Sequence, residues 1–262
     1  VRVRALRGRG ASVMAAAALM STASLVGCGD GGAPAGPASV AAVPADLLLA
    51  TGRLPAGFAP VQLSVSDLVE GNREPIEAAA EADVSPPDCR PTADAELNPE
   101  IDAANSAVLA ARSSAASLVE LVTTAQRDIS ADIATSTGRC ATTTTVIGTG
   151  NLRGARIVTR YTELPTPPQA RESDRLRQSV LLRSDVTTTL PDGTATTQVG
   201  FAGYALLVPD SDTTDSGAAV TVQLTVSGES TAASDPPTDA RPPMTDAAFG
   251  ALFDDALSAA SR

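Results

Sequence analysis

Val186-Thr187-Thr188-Thr189-Leu190-Pro191-Asp192-Gly193-Thr194-Ala195-Thr196-Thr197-Gln198-Val199 joins two Thr- and Val-rich runs through a Pro-Asp-Gly turn. β-Branched side chains are stiff at χ1 and fit a pleated surface, and Asp-Gly between two such runs is a hairpin signal. The stretch predicts antiparallel strands over 179–189 and 194–208. Similar Thr- and Val-rich runs predict further strands over 142–147, 156–161 and 220–226. The C-terminal tail supplies a second layer. After Thr245, a fitting N-cap, and Asp246, which suits the helix dipole, residues Phe249, Leu252, Phe253, Ala256 and Leu257 fall on one helical stripe. Such a stripe must be buried against another element. The class is therefore α+β, an antiparallel sheet with a C-terminal amphipathic helix and short helices packed on it.

Other segments read less directly. Residues 61–65 suggest a strand, and 76–82 a helix that stops before Pro86. Within 98–126, Ala107-Val108-Leu109-Ala110 and Leu118-Val119-Glu120-Leu121-Val122 fit either two short strands or parts of one Ala-rich helix. Ser113-Ser114-Ala115-Ala116-Ser117 is a natural turn, which favours strands. Asp128 can cap a short helix in which Ile129 and Ile133 share a face, and Gly138 can end it just before Cys140.

Composition excludes much chemistry. The 262 residues carry a net charge of -11, with 19 basic residues, all Arg, and neither His, Lys nor Trp. Without imidazole there is no Ser-His-Asp or Cys-His pair and no His metal ligand; without Lys, Schiff-base and Ser-Lys mechanisms fall as well. No cofactor or metal site is expected. Gly148-Thr149-Gly150-Asn151-Leu152-Arg153-Gly154 has part of a dinucleotide loop, but its third Gly comes late and β-like sequence follows, so a hairpin turn fits better. Asp210-Ser211-Asp212-Thr213-Thr214-Asp215-Ser216-Gly217 has part of a calcium loop. It lacks the spacing and the closing Glu, where Thr221 stands, and reads as a solvated acidic loop.

The N-terminal region speaks to location. Arg2, Arg4, Arg7 and Arg9 precede a charge-free run from Ala11 to Val26, the pattern of an export signal and too short to span a bilayer comfortably. Leu25-Val26-Gly27-Cys28 resembles the lipobox of bacterial lipoproteins. That resemblance implies cleavage before Cys28 and a diacylglyceryl group on its thiol, which with further acylation anchors a protein stably. The expected organisation is a signal peptide over 1–27, lipidated Cys28 with a Gly- and Pro-rich tether over 28–45, and a single exported domain over 46–262, lying on the outer face of the cell membrane. Loss of residues 1–27 would leave 15 Arg against 30 acids, which argues against nucleic acid as a partner.

Assigning Cys28 to lipid leaves Cys89 and Cys140. In an oxidising compartment these should pair, closing a loop whose unfolded-state entropy is worth roughly 4 kcal/mol; two free buried thiols are the competing reading. Arg156, Arg160, Arg171, Arg175, Arg177 and Arg183 concentrate positive charge in an acidic chain. Alternation puts Arg156 and Arg160 on one strand face, a candidate partner surface, whereas Arg171, Arg175 and Arg177 lie beyond Leu164-Pro165-Thr166-Pro167-Pro168 and are not expected to converge with them. A simple solvated face is the competing account.

These features together resemble mycobacterial-type actinobacterial lipobox lipoproteins whose folded part is similar to the extracellular sensor domain of mycobacterial receptor serine/threonine kinases. Carrying the resemblance are Leu47-Leu48-Leu49, Leu54-Pro55-Ala56-Gly57-Phe58, Pro86-Pro87-Asp88-Cys89, a second Cys at the end of a short helix, and the terminal amphipathic helix. It implies a disulfide-bridged α+β domain that binds an envelope ligand in a cleft; this chain differs in having one candidate disulfide and no Trp. The expected function is a lipid-anchored, non-catalytic, sensor-like envelope protein with an unidentified ligand or protein partner. Because acids are plentiful, a carboxylate-dependent hydrolase of cell-wall glycans stands as the alternative.

Overall fold

The structure is a computed structural model that describes residues 43–167, 174–208, 219–233 and 241–261. Its centre is an antiparallel sheet formed by β1 (Ala59–Val61), β2 (Asp83–Ser85), β3 (Ser106–Arg112), β4 (Ala116–Thr123), β5 (Thr142–Val146), β6 (Arg156–Leu164), β7 (Leu176–Thr189), β8 (Ala195–Leu207), β9 (Val220–Gly228) and β10 (Thr231–Ala232). The order across the sheet is β1-β3-β4-β9-β8-β7-β6-β5-β2, with β10 alongside β8. Among the described residues four α-helices accompany it: α1 (Val65–Glu81), α2 (Ala93–Leu97), α3 (Ile129–Ser136) and α4 (Asp246–Ala260).

The Pro191-Asp192-Gly193 hairpin forms as its sequence requires. Leu190 N–H donates to the Thr194 carbonyl at 2.8 Å, and Gly193 takes the left-handed φ of 87° that closes the turn. β7 and β8 then pair from Thr189 with Ala195 to Leu176 with Leu207. The uncertain stretch 98–126 is a hairpin of two strands, not a helix. Ser113 N–H donates to the Ala116 carbonyl at 2.9 Å across its turn, and β4 lies between β3 and β9, where Leu118 and Val122 are fully buried.

Alternation divides the sheet into two faces. On the first, Leu118, Val122, Leu181, Phe201, Ala205 and Leu224 join the buried side of α4 and Leu47 and Leu49 of the N-terminal segment in the main core. Thr245 caps α4 by accepting the Ala248 N–H at 3.1 Å, and the Phe249 ring stacks on Phe201 with centroids 5.1 Å apart. On the second face, Val65, Leu97, Ile101 and Leu121 form one apolar cluster, and Ile129, Val180 and Leu182 another. α1, α2 and α3 therefore lie opposite α4.

Two expectations change here. Val61 ends β1, so the strand expected over 61–65 lies earlier, and Val65 instead opens α1, which runs well ahead of the expected 76–82. The cause is a capping box: Ser64 Oγ accepts the Asp67 N–H at 3.1 Å, and Asp67 accepts the Ser64 N–H at 3.1 Å. The helix from that nucleus runs through Gly71 and past Pro75 to Glu81, although the missing N–H of Pro75 leaves the Gly71 carbonyl without its helical partner. The Asp128 cap is as expected, accepting the Ala131 N–H at 2.9 Å. Cys89 and Cys140 form a disulfide, with Cα atoms 5.3 Å apart, tying the end of the α3 segment to the loop that precedes α2.

Candidate functional site

α1 is amphipathic yet scarcely packed. Of its seventeen residues only Val65 is buried; Leu68, Ile76 and Ala79 are half-buried. An apolar helical stripe normally meets packed side chains, but much of this one faces a cleft of about 460 Å³ between α1 and the sheet. The floor comes from neighbouring strands: Val119 and Leu121 on β4, Gln223, Thr225 and Ser227 on β9, and Tyr204 on β8. Register explains the arrangement, since Leu121 lies beside Gln223 and Gln223 beside Tyr204, while Val119 lies beside Thr225. The far wall is the segment from Arg90 to Ala95.

Both ends of this wall are fastened by arginines. Arg90 Nη1 donates to the Ala79 and Ala80 carbonyls at 2.7 and 2.9 Å, and Nη2 to the Ala82 carbonyl at 2.7 Å. These are unsatisfied groups at the helix C-terminus, where a cation is also favoured by the dipole. The neighbouring disulfide at Cys89 holds Arg90 in place for this role.

Arg127 fastens the other end. Its Nε and Nη2 donate to the two oxygens of Asp132 at 2.6 and 2.8 Å, and Nη1 donates to Asp94 at 2.7 Å and to Gln223 at 3.2 Å. The guanidinium carbon lies 3.9 Å from the centre of the Tyr204 ring. One side chain, only 2% exposed, thus joins α2, α3, β8 and β9. Burial works against its charge, but the bond with Asp132 and the surrounding charges outweigh burial and hold its proton more tightly than usual. Burial also pushes the Tyr204 phenol up, so it stays a neutral hydroxyl. Among the lining residues Asp94 is the one carboxylate, and it is committed to Arg127. Thr225 and Ser227 bring hydroxyl groups to the floor, and Thr225 Oγ1 donates to the Val119 carbonyl at 3.3 Å.

The residues singled out from sequence lie elsewhere. Cys28, with the signal and most of the tether, is outside the described residues, as are Asp210–Gly217 and Arg171. Arg156 and Arg160 share the β6 face expected of them, on the α4 side of the sheet. Arg156 donates to Thr144 Oγ1 at 3.3 Å, and Arg160 is the cross-strand neighbour of Asp185. Arg183 lies on the same face from β7, bonded to Asp185 and 3.7 Å from Asp246 at the start of α4, whereas Arg175 donates to the Ser261 carbonyl beyond its end. None of these arginines lines the cleft. Gly148–Gly154 forms the β5–β6 hairpin turn, closed by the Gly154 N–H donating to the Ile147 carbonyl at 2.8 Å.

The roles of Arg127 and Tyr204, and the position of the cleft, are not foreseen in the sequence. Nothing marks Arg127 out from other arginines along the chain. For α1, however, Ser64-Val65-Ser66-Asp67 was an available capping signal.

No protein-family profile and no curated protein matches the chain. One solved structure, an uncharacterised protein of Mycobacterium smegmatis (Rv0999 ortholog), is similar at 14% identity over 80% of this chain and 93% of that one, with a TM-score of 0.41.

Proposed function

We propose that this is a lipid-anchored envelope protein, held at the outer face of the cell membrane through Cys28, whose folded part is non-catalytic and binds a ligand in the cleft beneath α1. The observation that carries the binding role is the cleft: a half-buried apolar helix stripe borders a cavity whose floor combines Val119 and Leu121 with the neutral hydrogen-bonding side chains of Tyr204, Gln223, Thr225 and Ser227. Anchoring is supported by Leu25-Val26-Gly27-Cys28 and the Gly- and Pro-rich stretch after it. Among the described residues no helix is long and apolar enough to cross a membrane.

A carboxylate hydrolase needs two acids flanking an open groove. At the cleft Asp94 stands alone and bonded to Arg127, while buried Glu120 lies on the opposite face of the sheet; both facts favour binding over catalysis. Arg156 and Arg160 would then serve at most as a broad, weakly binding, salt-sensitive partner surface. The test has two arms. Cys28→Ser should move the protein from the membrane to the aqueous phase, and a lipid and metabolite extract of the native envelope should shift the backbone amides of Val119, Leu121 and Tyr204. Retention of the variant in the membrane would overturn the anchor, and silent cleft amides would overturn the binding role.

A further inference from the structure

The lining of the cleft also states what kind of molecule suits it, an inference that rests on reading the cleft as a ligand site. We infer that the occupant is an uncharged amphiphile, a single aliphatic chain carrying a hydroxyl-bearing head.

The cleft is divided lengthwise. Leu68 and Ile76 of α1 with Val119 and Leu121 of β4 supply its apolar lining, while Tyr204 of β8 and Gln223, Thr225 and Ser227 of β9 supply its polar lining. Because alternate residues of one strand share a face, Gln223, Thr225 and Ser227 form a polar row about 13 Å long, at roughly 3.3 Å per residue. The apolar row of β4 runs beside it in register. An elongated molecule with an aliphatic side and a few hydroxyl or ester oxygens satisfies both rows at once. Thr225 Oγ1 already donates to the Val119 carbonyl at 3.3 Å and Gln223 Oε1 accepts from Arg127 at 3.2 Å, so a plain hydrocarbon would cover the remaining hydrogen-bonding capacity of Gln223, Thr225 and Ser227 without replacing the water lost.

Charge sets the second constraint. The Arg90 guanidinium is spent on three carbonyls at the end of α1, and Arg127 on Asp132, Asp94 and Gln223. Among the described residues that line the cleft, an anion meets no uncommitted cation, inside a chain whose net charge is -11. A cation meets only Asp94, whose charge is shared with Arg127. A neutral head avoids both penalties, and the threonine, serine, glutamine and tyrosine groups supply donors and acceptors of the matching kind.

The experiment titrates the full chain with four probes below their aggregation concentrations: 1-decanoylglycerol, decanoate, decyltrimethylammonium and glycerol. Amide chemical shifts are followed throughout, and native envelope extract serves as a fifth sample. Decanoylglycerol is expected to shift the Val119, Leu121 and Tyr204 amides saturably and to bind at least tenfold more tightly than each of the other three. Thr225→Val should weaken it severalfold while leaving the thermal unfolding midpoint near its original value. Equal or tighter binding of decanoate, of decyltrimethylammonium or of glycerol alone would overturn the inference. Shifts with the extract but with none of the probes would overturn the ligand class and leave the binding role standing, whereas silence with the extract would overturn both.

Discussion

The guanidinium of Arg127 is stacked 3.9 Å over the Tyr204 ring while two of its nitrogens hold both oxygens of Asp132. Asp132 sits on α3 and Tyr204 on β8, so this pairing fixes a helix to the sheet beside the cleft. The arrangement is a buried ion pair with every partner in place, and its worth lies mainly in what happens when one partner is removed.

Arg127→Met should therefore destabilise the fold by about 3–5 kcal/mol, because Asp132, with a side chain only 11% exposed, loses its counter-charge. Adding Asp132→Leu should restore most of that loss. Denaturant unfolding of the two variants checks the expectation; equal instability of the single and double variants would contradict it.

Glu120 is buried on the α4 side of the sheet, between the apolar cross-strand neighbours Leu109 and Leu224, with Oε2 accepting the Leu49 N–H at 2.9 Å and Oε1 unpartnered. Burial pushes its carboxyl up from an ordinary 4.5 to about 7, with the Leu49 bond opposing the shift. The folded state therefore holds this proton more tightly than the unfolded chain. Its stabilising contribution is full below about pH 4.5 and is lost as pH rises through about 7, a change on the order of 3 kcal/mol. Glu120→Gln cannot titrate, so the gap in stability between wild type and variant should move in the variant's favour from pH 4.5 to pH 8. Thermal melts at both pH values measure it, and a constant gap would show that Glu120 does not titrate in this range.

A Cβ built on Gly203 would stand 2.6 Å from ring carbons of Phe253, so α4 approaches β8 as closely as it does only because that position has no side chain. Gly203→Ala should cost about 1–3 kcal/mol by forcing the helix outward. Gly250, inside α4, meets nothing within 4 Å of a built Cβ, and Gly250→Ala should stabilise by up to about 1 kcal/mol through helix propensity. Paired unfolding curves test the contrast, and a neutral Gly203→Ala would show that the packing gives way without cost.

The strands of 142–226 and the terminal helix were legible because their signals are local: Thr and Val in pleated runs, Asp-Gly at a turn, and a Phe and Leu stripe behind a Thr cap. The β3–β4 hairpin was legible only as a preference, since a four-residue apolar run fits a helix as well and the sheet neighbours β1 and β9 decide the matter. α1 was half read. Only its second half, over 76–82, carries a plain helical pattern, because Gly71 and Pro75 are poor helix formers, and the start is set by the cap at Ser64. A cleft was implied only by the family resemblance, and its position and lining could not be read. Its floor combines residues from β4, β8 and β9 that are remote in sequence, and Arg127, which holds the lining residues Asp94, Gln223 and Tyr204 together, acquires its meaning only when these and Asp132 meet around it.

Ligand binding beneath α1 is tested most directly by native mass spectrometry of the protein purified from its own membranes, beside a Val119→Arg variant whose side chain would fill the cleft from its floor. The wild type is expected to carry one stoichiometric, non-covalent adduct in addition to any lipid on Cys28. The variant, at an unchanged unfolding midpoint, is expected to lack it. An adduct retained by the variant, or a wild-type protein with none, would contradict binding in this cleft.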